Sequence, residues 1–265
     1  MAPQLNQLLA ALPSEVLQRI YPYLEMVALP IGEVLYEPGD GRRHVYFPVD
    51  CTVSLLQGIE NGASAEVSMV GKEGIVGISA FMGGDYCQWR AVVQNAGFAY
   101  RLLGHKLNDE FSRHGDMLRL MLRYTQLQIV QMSQTAACNR HHSIDQQVCR
   151  WLLQSLDRLP SSTITVTQES LANALGVRRE GVTLAAGKLC KLGVIEYGRG
   201  KITVVNRARL ESLSCECYAV VKKESNRLLP AVQQPLTTSG WTRARFEPAM
   251  NKALTMQGVD RLAAA

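Results

Sequence analysis

The run from Thr167 to Arg207 constrains the fold more than any other part of this 265-residue chain. Thr167 can N-cap a helix over Gln168–Leu175, and Gly176 supplies a residue that tolerates positive φ in a turn between two helices. A second helix is predicted over 178–191, with a buried face at helical spacing made of Val182, Ala185, Ala186 and Leu189. The run therefore predicts a helix-turn-helix.

A small basic hairpin is predicted to follow these helices. Val194–Tyr197 and Ile202–Val205 have the character of short strands and flank Gly198-Arg199-Gly200, which makes a wing. Some winged helices of this kind bind DNA and others bind only proteins. The pattern alone leaves both functions open. Hydrogen-bonding side chains at the start of the second helix favour DNA, because that end enters the major groove in this motif.

The same run resembles the C-terminal domain of the Crp/Fnr (cyclic-AMP receptor protein / fumarate–nitrate regulator) family of bacterial transcription factors. The matching residues are T-Q-E-S-L-A-N-A-L-G-V-R-R-E-G-V, then L-x-K-L-G-V-I and G-K-I-T-V-V. The resemblance implies that Arg179 and Glu180 read base edges and that Thr167 touches a phosphate. Leu184 stands where the cyclic-AMP receptor protein has a second base-reading arginine, so its operator is not implied.

These residues give a specific DNA-binding hypothesis. Arginine suits guanine O6/N7 and glutamate accepts from cytosine N4, so a G·C contact is expected in each half-site of an inverted repeat. The expected base-reading residues are Arg178, Arg179, Glu180 and Thr183. The expected phosphate contacts are Thr167, Lys188, Arg199 and Lys201, with Arg207 as a further candidate. The resemblance implies a homodimer on double-stranded DNA, with RNA polymerase as a partner.

The first half of the chain has a helical pattern followed by a β-strand pattern. Residues 1–27 are predicted to be helical, and from 28 to 107 short β-type runs alternate with turns such as Glu60-Asn61-Gly62. Their spacing indicates a β-sandwich or barrel. P-x-G-E-V-L-Y-E-P-G-D, V-Y-F-P and V-G-K-E-G-I-V-G resemble the family's jelly-roll sensor domain, the cyclic-nucleotide-binding fold. We expect an α+β chain with a sensor domain over 12–137, a winged helix-turn-helix over 142–215 and a flexible tail over 225–265.

The ligand pocket of cyclic-AMP-binding members is not reproduced in the sequence. Gly77-Ile78 stands where those proteins carry Gly-Glu, and Arg90 lacks a neighbouring hydroxyl residue. We therefore predict no ordinary cyclic-nucleotide binding and leave the effector unknown, with Gly77, Ile78 and Arg90 as the pocket candidates. The first cysteine is Cys51, which excludes the family's N-terminal iron–sulfur cluster, and no histidine is marked as a haem ligand.

A long helix is predicted over 107–137. Leu118, Leu122, Ile129 and Met132 belong to a heptad-like apolar seam. The resemblance places the dimerisation helix here, between sensor and DNA-binding parts. The alternative is a helix packed within a monomer.

Two groups of potential metal ligands raise the question of a metal. The first is Cys138-Asn139-Arg140-His141-His142 with Cys149 beyond, and the second is Cys215-Glu216-Cys217. Zinc sites usually have four ligands paired at defined separations, whereas the first group lies on a predicted helix and hinge and nothing near the second completes a site. We expect no metal, no cofactor and an inert Cys215/Cys217 pair.

Charge and cysteine content fit a cytoplasmic DNA-binding protein and not an exported one. No enzyme is expected, because a jelly-roll enzyme would need clustered histidines and carboxylates for a metal, and the strands offer only His44 and His105. The net charge is −2 over 1–140, +4 over 141–224 and +3 over 225–265, so the positive charge lies in and after the proposed DNA-binding part. No signal peptide or membrane span is expected, and seven scattered cysteines indicate no disulfide framework. The alternative function is a cyclic-nucleotide-binding module that acts through protein partners, and it would require a glutamate at position 78.

Overall fold

The computed structural model describes residues 5–41, 44–60, 62–83 and 86–229. The chain begins with two short helices, α1 (Gln7–Ala10) and α2 (Ser14–Ile20), and a 3-10 turn over Tyr21–Tyr23. Strand β1 (Glu25–Leu29) follows, so the prediction of helix through residue 27 is wrong at its end. The reason is tertiary, since all five residues of β1 pair with a distant strand near residue 100.

The N-terminal domain is built from two antiparallel sheets. Six further strands complete it: β2 (Val34–Tyr36), β3 (His44–Pro48), β4 (Thr52–Gly58), β5 (Ser64–Val70), β6 (Arg90–Asn95) and β7 (Gly97–Leu103). The strand orders are β1-β7-β3 and β2-β6-β4-β5. Side chains such as Phe47, Val53 and Ala91 are fully buried. Because β4 pairs with β5, the hairpin predicted around residues 60–62 is confirmed, although Asn61 lies outside the described residues.

Two helices, not one, follow the sheets. They are α3 (Gly104–Phe111) and α4 (Asp116–His141). The chain breaks between them at His114, whose φ of 56° lies in the left-handed region, and the prediction of one helix over 107–137 is therefore wrong. Residues 112–116 carry no apolar side chain and Gly115 precedes α4, so the break falls in a polar stretch between two helical patterns.

The C-terminal part contains five helices and a three-stranded sheet among the described residues. The elements are α5 (Ile144–Arg158), β8 (Thr163–Thr165), α6 (Gln168–Leu175), α7 (Arg179–Lys191), β9 (Ile195–Gly198), β10 (Lys201–Val204), α8 (Arg207–Leu213) and α9 (Glu216–Leu228). The predicted α6 is confirmed, and α7 and the wing strands lie within one residue of their predicted bounds. Strand β8, which completes the order β8-β10-β9, was not predicted.

Helix α9 is the largest element that the sequence did not indicate. It packs along α4 and buries Tyr218, Val221 and Leu228. The flexible tail predicted from residue 225 is thus helical as far as Leu228, and residues 230–265 lie outside the described part of the chain.

The C-terminal part rests on the β-domain. Helices α5 and α6 pack against β5, and the Arg158 guanidinium pairs with the Glu73 carboxylate at 2.7 Å with little exposure of either side chain. The Thr165 amide donates to Asn95 Oδ1 at 3.2 Å. Within the described ranges, no helix is long and apolar enough to cross a membrane.

Candidate nucleic-acid interface

Local capping and a shared core fix the angle between α6 and α7. The Thr167 hydroxyl accepts the Ser170 amide at 3.0 Å and caps α6. Gly176 ends α6 with φ 66°, a conformation that favours glycine. Leu171, Val182 and Leu189 are buried in one cluster with Trp151 of α5. The helix-turn-helix is therefore rigidly held by its own core.

One face of α7 is polar and exposed. Arg178 occupies the N-cap, and Arg179, Glu180 and Thr183 follow on the exposed side of the first turns. The Thr183 hydroxyl donates to Gln168 Oε1 at 2.7 Å, which ties this face to α6. Leu184 beside it is 68% exposed. The structure thus brings all four expected base-reading residues onto one open helix end.

The expected phosphate contacts divide into two groups. Thr167, Arg199 and Lys201 are exposed, and Arg199 sits at the tip of the wing with φ 51°. Lys188 is exposed and pairs with Asp145 at 2.8 Å. Arg207 differs, because its guanidinium pairs with Asp157 at 2.5 Å and also donates to the Tyr218 hydroxyl. Since two partners of the domain already engage that half-exposed guanidinium, Arg207 is a weaker candidate for a phosphate contact than Arg199 or Lys201.

Helix α4 has a packed face and an open face. The packed face includes Met117, Met121 and Tyr124, each no more than 1% exposed. On the other side, Leu122 and Ile129 are 54% and 53% exposed, and Leu118 and Met132 are half-buried. We call Leu118, Leu122, Ile129 and Met132 the α4 seam; Leu122 and Ile129 are directed to solvent, whereas Met132 also packs against the β-domain core.

The pocket candidates do not form a polar site. Gly77 has φ 105° and lies under the Tyr36 hydroxyl, which donates to the His44 carbonyl, while Ile78 is buried. Arg90 makes a half-exposed pair with Glu37 at 3.0 Å. The prediction that this chain does not bind ordinary cyclic nucleotides stays a prediction, and titration with cyclic AMP and cyclic GMP checks it.

A buried polar network that the sequence did not reveal joins β4, β5 and α4. The Ser54 hydroxyl donates to Glu66 Oε2 and the Ser68 hydroxyl to Gln128 Oε1, both at 2.5 Å. Burial raises the pKa of the Glu66 carboxyl to about 7, although Ser54 and two arginines of α5 oppose that shift. A carboxyl whose pKa is raised toward neutral thus lies where the β-domain meets α5.

The cysteine expectations require a correction. Cys215 and Cys217 are not isolated, because their thiols lie within 4.8 Å of ligand atoms on Cys138 and His142. Neither His141 nor Cys149 belongs to that group. The two halves are more than seventy residues apart in sequence, so no local spacing could have joined them.

Comparison with known proteins agrees with this geometry. Residues 146–213 match the model of the Crp-like helix-turn-helix domain. No curated protein matches the sequence significantly. FixK2 from Bradyrhizobium japonicum superposes with a TM-score of 0.63 at 16% identity and covers 72% of this chain and 98% of its own.

Two solved structures from Thermus thermophilus are similar as well. A transcriptional regulator of the CRP/FNR family has a TM-score of 0.56 at 21% identity, over 72% of this chain and 98% of its own. A CRP-family regulator has a TM-score of 0.58 at 20% identity, over 71% and 95%. These likenesses show the fold.

The family match covers residues 146–213, and the solved structures share the fold of most of the chain. The chain has the Crp/Fnr regulator fold and carries a Crp-like helix-turn-helix domain, and the resemblance drawn from the sequence is confirmed at that level.

Proposed function

We propose that this protein is a sequence-specific DNA-binding transcription regulator that acts as a homodimer on an inverted repeat. The observation that carries the proposal is the exposed polar end of α7, where Arg178, Arg179, Glu180 and Thr183 stand together on a rigidly held helix. A side-chain set of this kind reads base edges in the major groove.

The α4 seam supports the dimer. Apolar side chains at heptad-like spacing on a 26-residue helix are suited to a second copy of the same helix across a two-fold axis. Such a dimer presents two α7 helices to successive major grooves. Thr167, Lys188, Arg199 and Lys201 then position each copy on the phosphates. RNA polymerase contact remains an expectation.

The test is selection of bound sequences from random duplex DNA, with the oligomeric state measured by light scattering in the same buffer. We expect a dimer and an inverted repeat whose half-sites lie about one helical turn apart. Binding without sequence preference would contradict the assignment of α7 as a reading helix. A monomer that still selects a repeat would contradict the role of the seam.

A further inference from the structure

The most unusual grouping of side chains lies at the junction between α4 and α5, outside the residues proposed to meet DNA. Cys138 is in the last turn of α4 and His142 is its C-cap, four residues later and on the same face. Cys215 is the N-cap of α9 and Cys217 lies in its first turn. Two ligand pairs from distant segments therefore meet. We call Cys138, His142, Cys215 and Cys217 the hinge cluster.

The distances within the hinge cluster fit a single small ion. Cys138 Sγ lies 3.6 Å from Cys215 Sγ, and Cys217 Sγ lies 3.6 Å from His142 Nδ1. All four ligand atoms are within 4.8 Å of one another. Zinc bonds of about 2.3 Å to sulfur and 2.0–2.1 Å to nitrogen give tetrahedral edges of roughly 3.5–3.8 Å. An iron–sulfur cluster needs wider spacing between those of its cysteines that bind different iron atoms.

Burial and ligand type narrow the choice of metal and of site type further. The three cysteines are buried, at 0%, 5% and 2% exposure, and form an apolar cluster of their own. Three thiolates with one imidazole are typical of zinc, and four protein ligands leave no open position for a substrate. The arrangement is that of a closed, structural site.

The histidine also has the outer partner that metal-bound histidines usually have. Its Nδ1 faces the cluster, while its Nε2 lies 3.3 Å from Glu216 Oε2. A carboxylate on the far nitrogen fixes the tautomer and orients the ring toward the ion. Glu216 stands between the two cysteine ligands in sequence, so one short segment supplies both kinds of group.

We propose that the hinge cluster binds one Zn²⁺ ion per chain through Cys138, His142, Cys215 and Cys217. The matched helix-turn-helix domain covers 146–213, so the four ligands lie on either side of it. The ion would join the end of α4 to the start of α9 and would fix the junction through which the seam helix meets the DNA-binding part.

The first experiment is elemental analysis of the full chain purified under reducing conditions, followed by cobalt titration of the zinc-stripped, reduced protein. We expect about one zinc per chain and the absorption of tetrahedral, thiolate-bound cobalt. Reduced protein without metal and without that spectrum would overturn the proposal. An octahedral cobalt spectrum, or a Cys138–Cys215 disulfide in the purified protein, would overturn it equally.

Neighbouring residues supply matched controls. His142→Ala should lose the ion, whereas His141→Ala, one residue earlier and exposed, should retain it. Cys217→Ser should behave like His142→Ala, and Cys149→Ser, a buried cysteine outside the cluster, should not. Equal metal content in both members of a pair would contradict the ligand assignment.

A substitution of Glu216, which contacts His142 and is not itself a ligand, tests the zinc site even if a ligand variant fails to fold. Glu216 is exposed, and Glu216→Gln should weaken zinc affinity about 10- to 100-fold in competition with a chelating dye. Unchanged affinity would argue against the oriented histidine. These measurements involve no DNA, so their failure would leave the proposed regulator function intact.

Discussion

The α7 face and the exposed part of the α4 seam have opposite chemistry. The α7 face presents two arginines, a glutamate and a threonine, whereas the seam exposes a leucine and an isoleucine. A hydrated polyanion suits the first and a second apolar helix suits the second. In the proposed dimer, the two surfaces meet different partners, and the apolar contact sets the spacing of the two polar faces.

The largest effect is expected from placing a charge in the α4 seam. Leu122→Glu should convert the dimer to a monomer, because burying an unpaired carboxylate at a helix–helix contact is unfavourable. Loss of the second half-site should then weaken operator binding about 1,000-fold. Sedimentation velocity and titration of a labelled operator measure the two effects.

Arg123→Gln is the control for this seam variant. It produces the same change in net charge at the adjacent, exposed position, about a quarter turn away on α4. It should remain dimeric and bind the operator normally. A dimeric Leu122→Glu protein would contradict the role of the seam in dimerisation. A monomer with full affinity for the operator would contradict the need for a dimer in DNA binding.

A second prediction concerns the interface between β5 and α5, where the DNA-binding part rests on the β-domain. Glu66 of β5 is buried near Arg150, Arg158 and Trp151 of α5, and its pKa is raised to about 7 from an ordinary 4.5. Because the folded-state pKa is the higher one, this carboxyl's contribution to stability is complete below the unfolded value of 4.5. It is lost as pH rises through about 7.

The Glu66→Gln variant should therefore lack a stability decrease that the parent protein shows between about pH 5 and 8. Across this pH window the free energy of unfolding of the parent should fall by about 3 kcal/mol more than that of the variant. Urea unfolding at both pH values measures it. Glu60→Gln, in the exposed turn after β4, should leave the parent's slope unchanged. Parallel slopes for the parent and Glu66→Gln would rule out the raised pKa.

The Arg179→Ala variant tests whether the α7 face reads bases. Removal of a guanidinium that reads a base should cost about 1–3 kcal/mol on the operator and relax specificity at one base pair. Repeated sequence selection with the variant identifies that position. Arg113→Ala, which removes an exposed arginine near α3, should have no effect. Equal loss on specific and random DNA would reject the base-reading role.

The sequence predicts the helix-turn-helix well because its determinants are local. The Thr167 cap, the Gly176 turn and the apolar spacing of α7 each act within a few residues. The wing strands follow from the same short-range signals, and their bounds differ by only one residue from the predicted ones.

The elements that the sequence did not reveal depend on distant partners. Strand β1 is fixed by pairing with β7, and α9 by packing along α4. The hinge cluster combines Cys138 with Cys215 across the whole winged helix. Its paired spacing was present in the sequence, but only the fold brings the pairs together. Glu66 is similar, since its raised pKa comes from burial that no sequence pattern encodes.

The smallest expected effect belongs to the wing. Lys201 is exposed on β10 and is proposed to meet a phosphate, which carries no base information. Lys201→Ala should weaken binding a few-fold on specific and random duplexes alike. The slope of log affinity against log salt should fall in magnitude by about 1, because one fewer counterion is released.

A matched lysine in the β-domain makes the wing prediction decisive. Lys106→Ala removes the same charge from α3, where the ammonium lies over the Tyr23 ring, and should leave both affinity and salt slope unchanged. If Lys201→Ala instead altered the preferred sequence, the wing would read bases. The division between a reading helix and a positioning wing would then have to be redrawn. An unchanged salt slope would place the wing away from the phosphates and leave α7 as the main site of DNA contact.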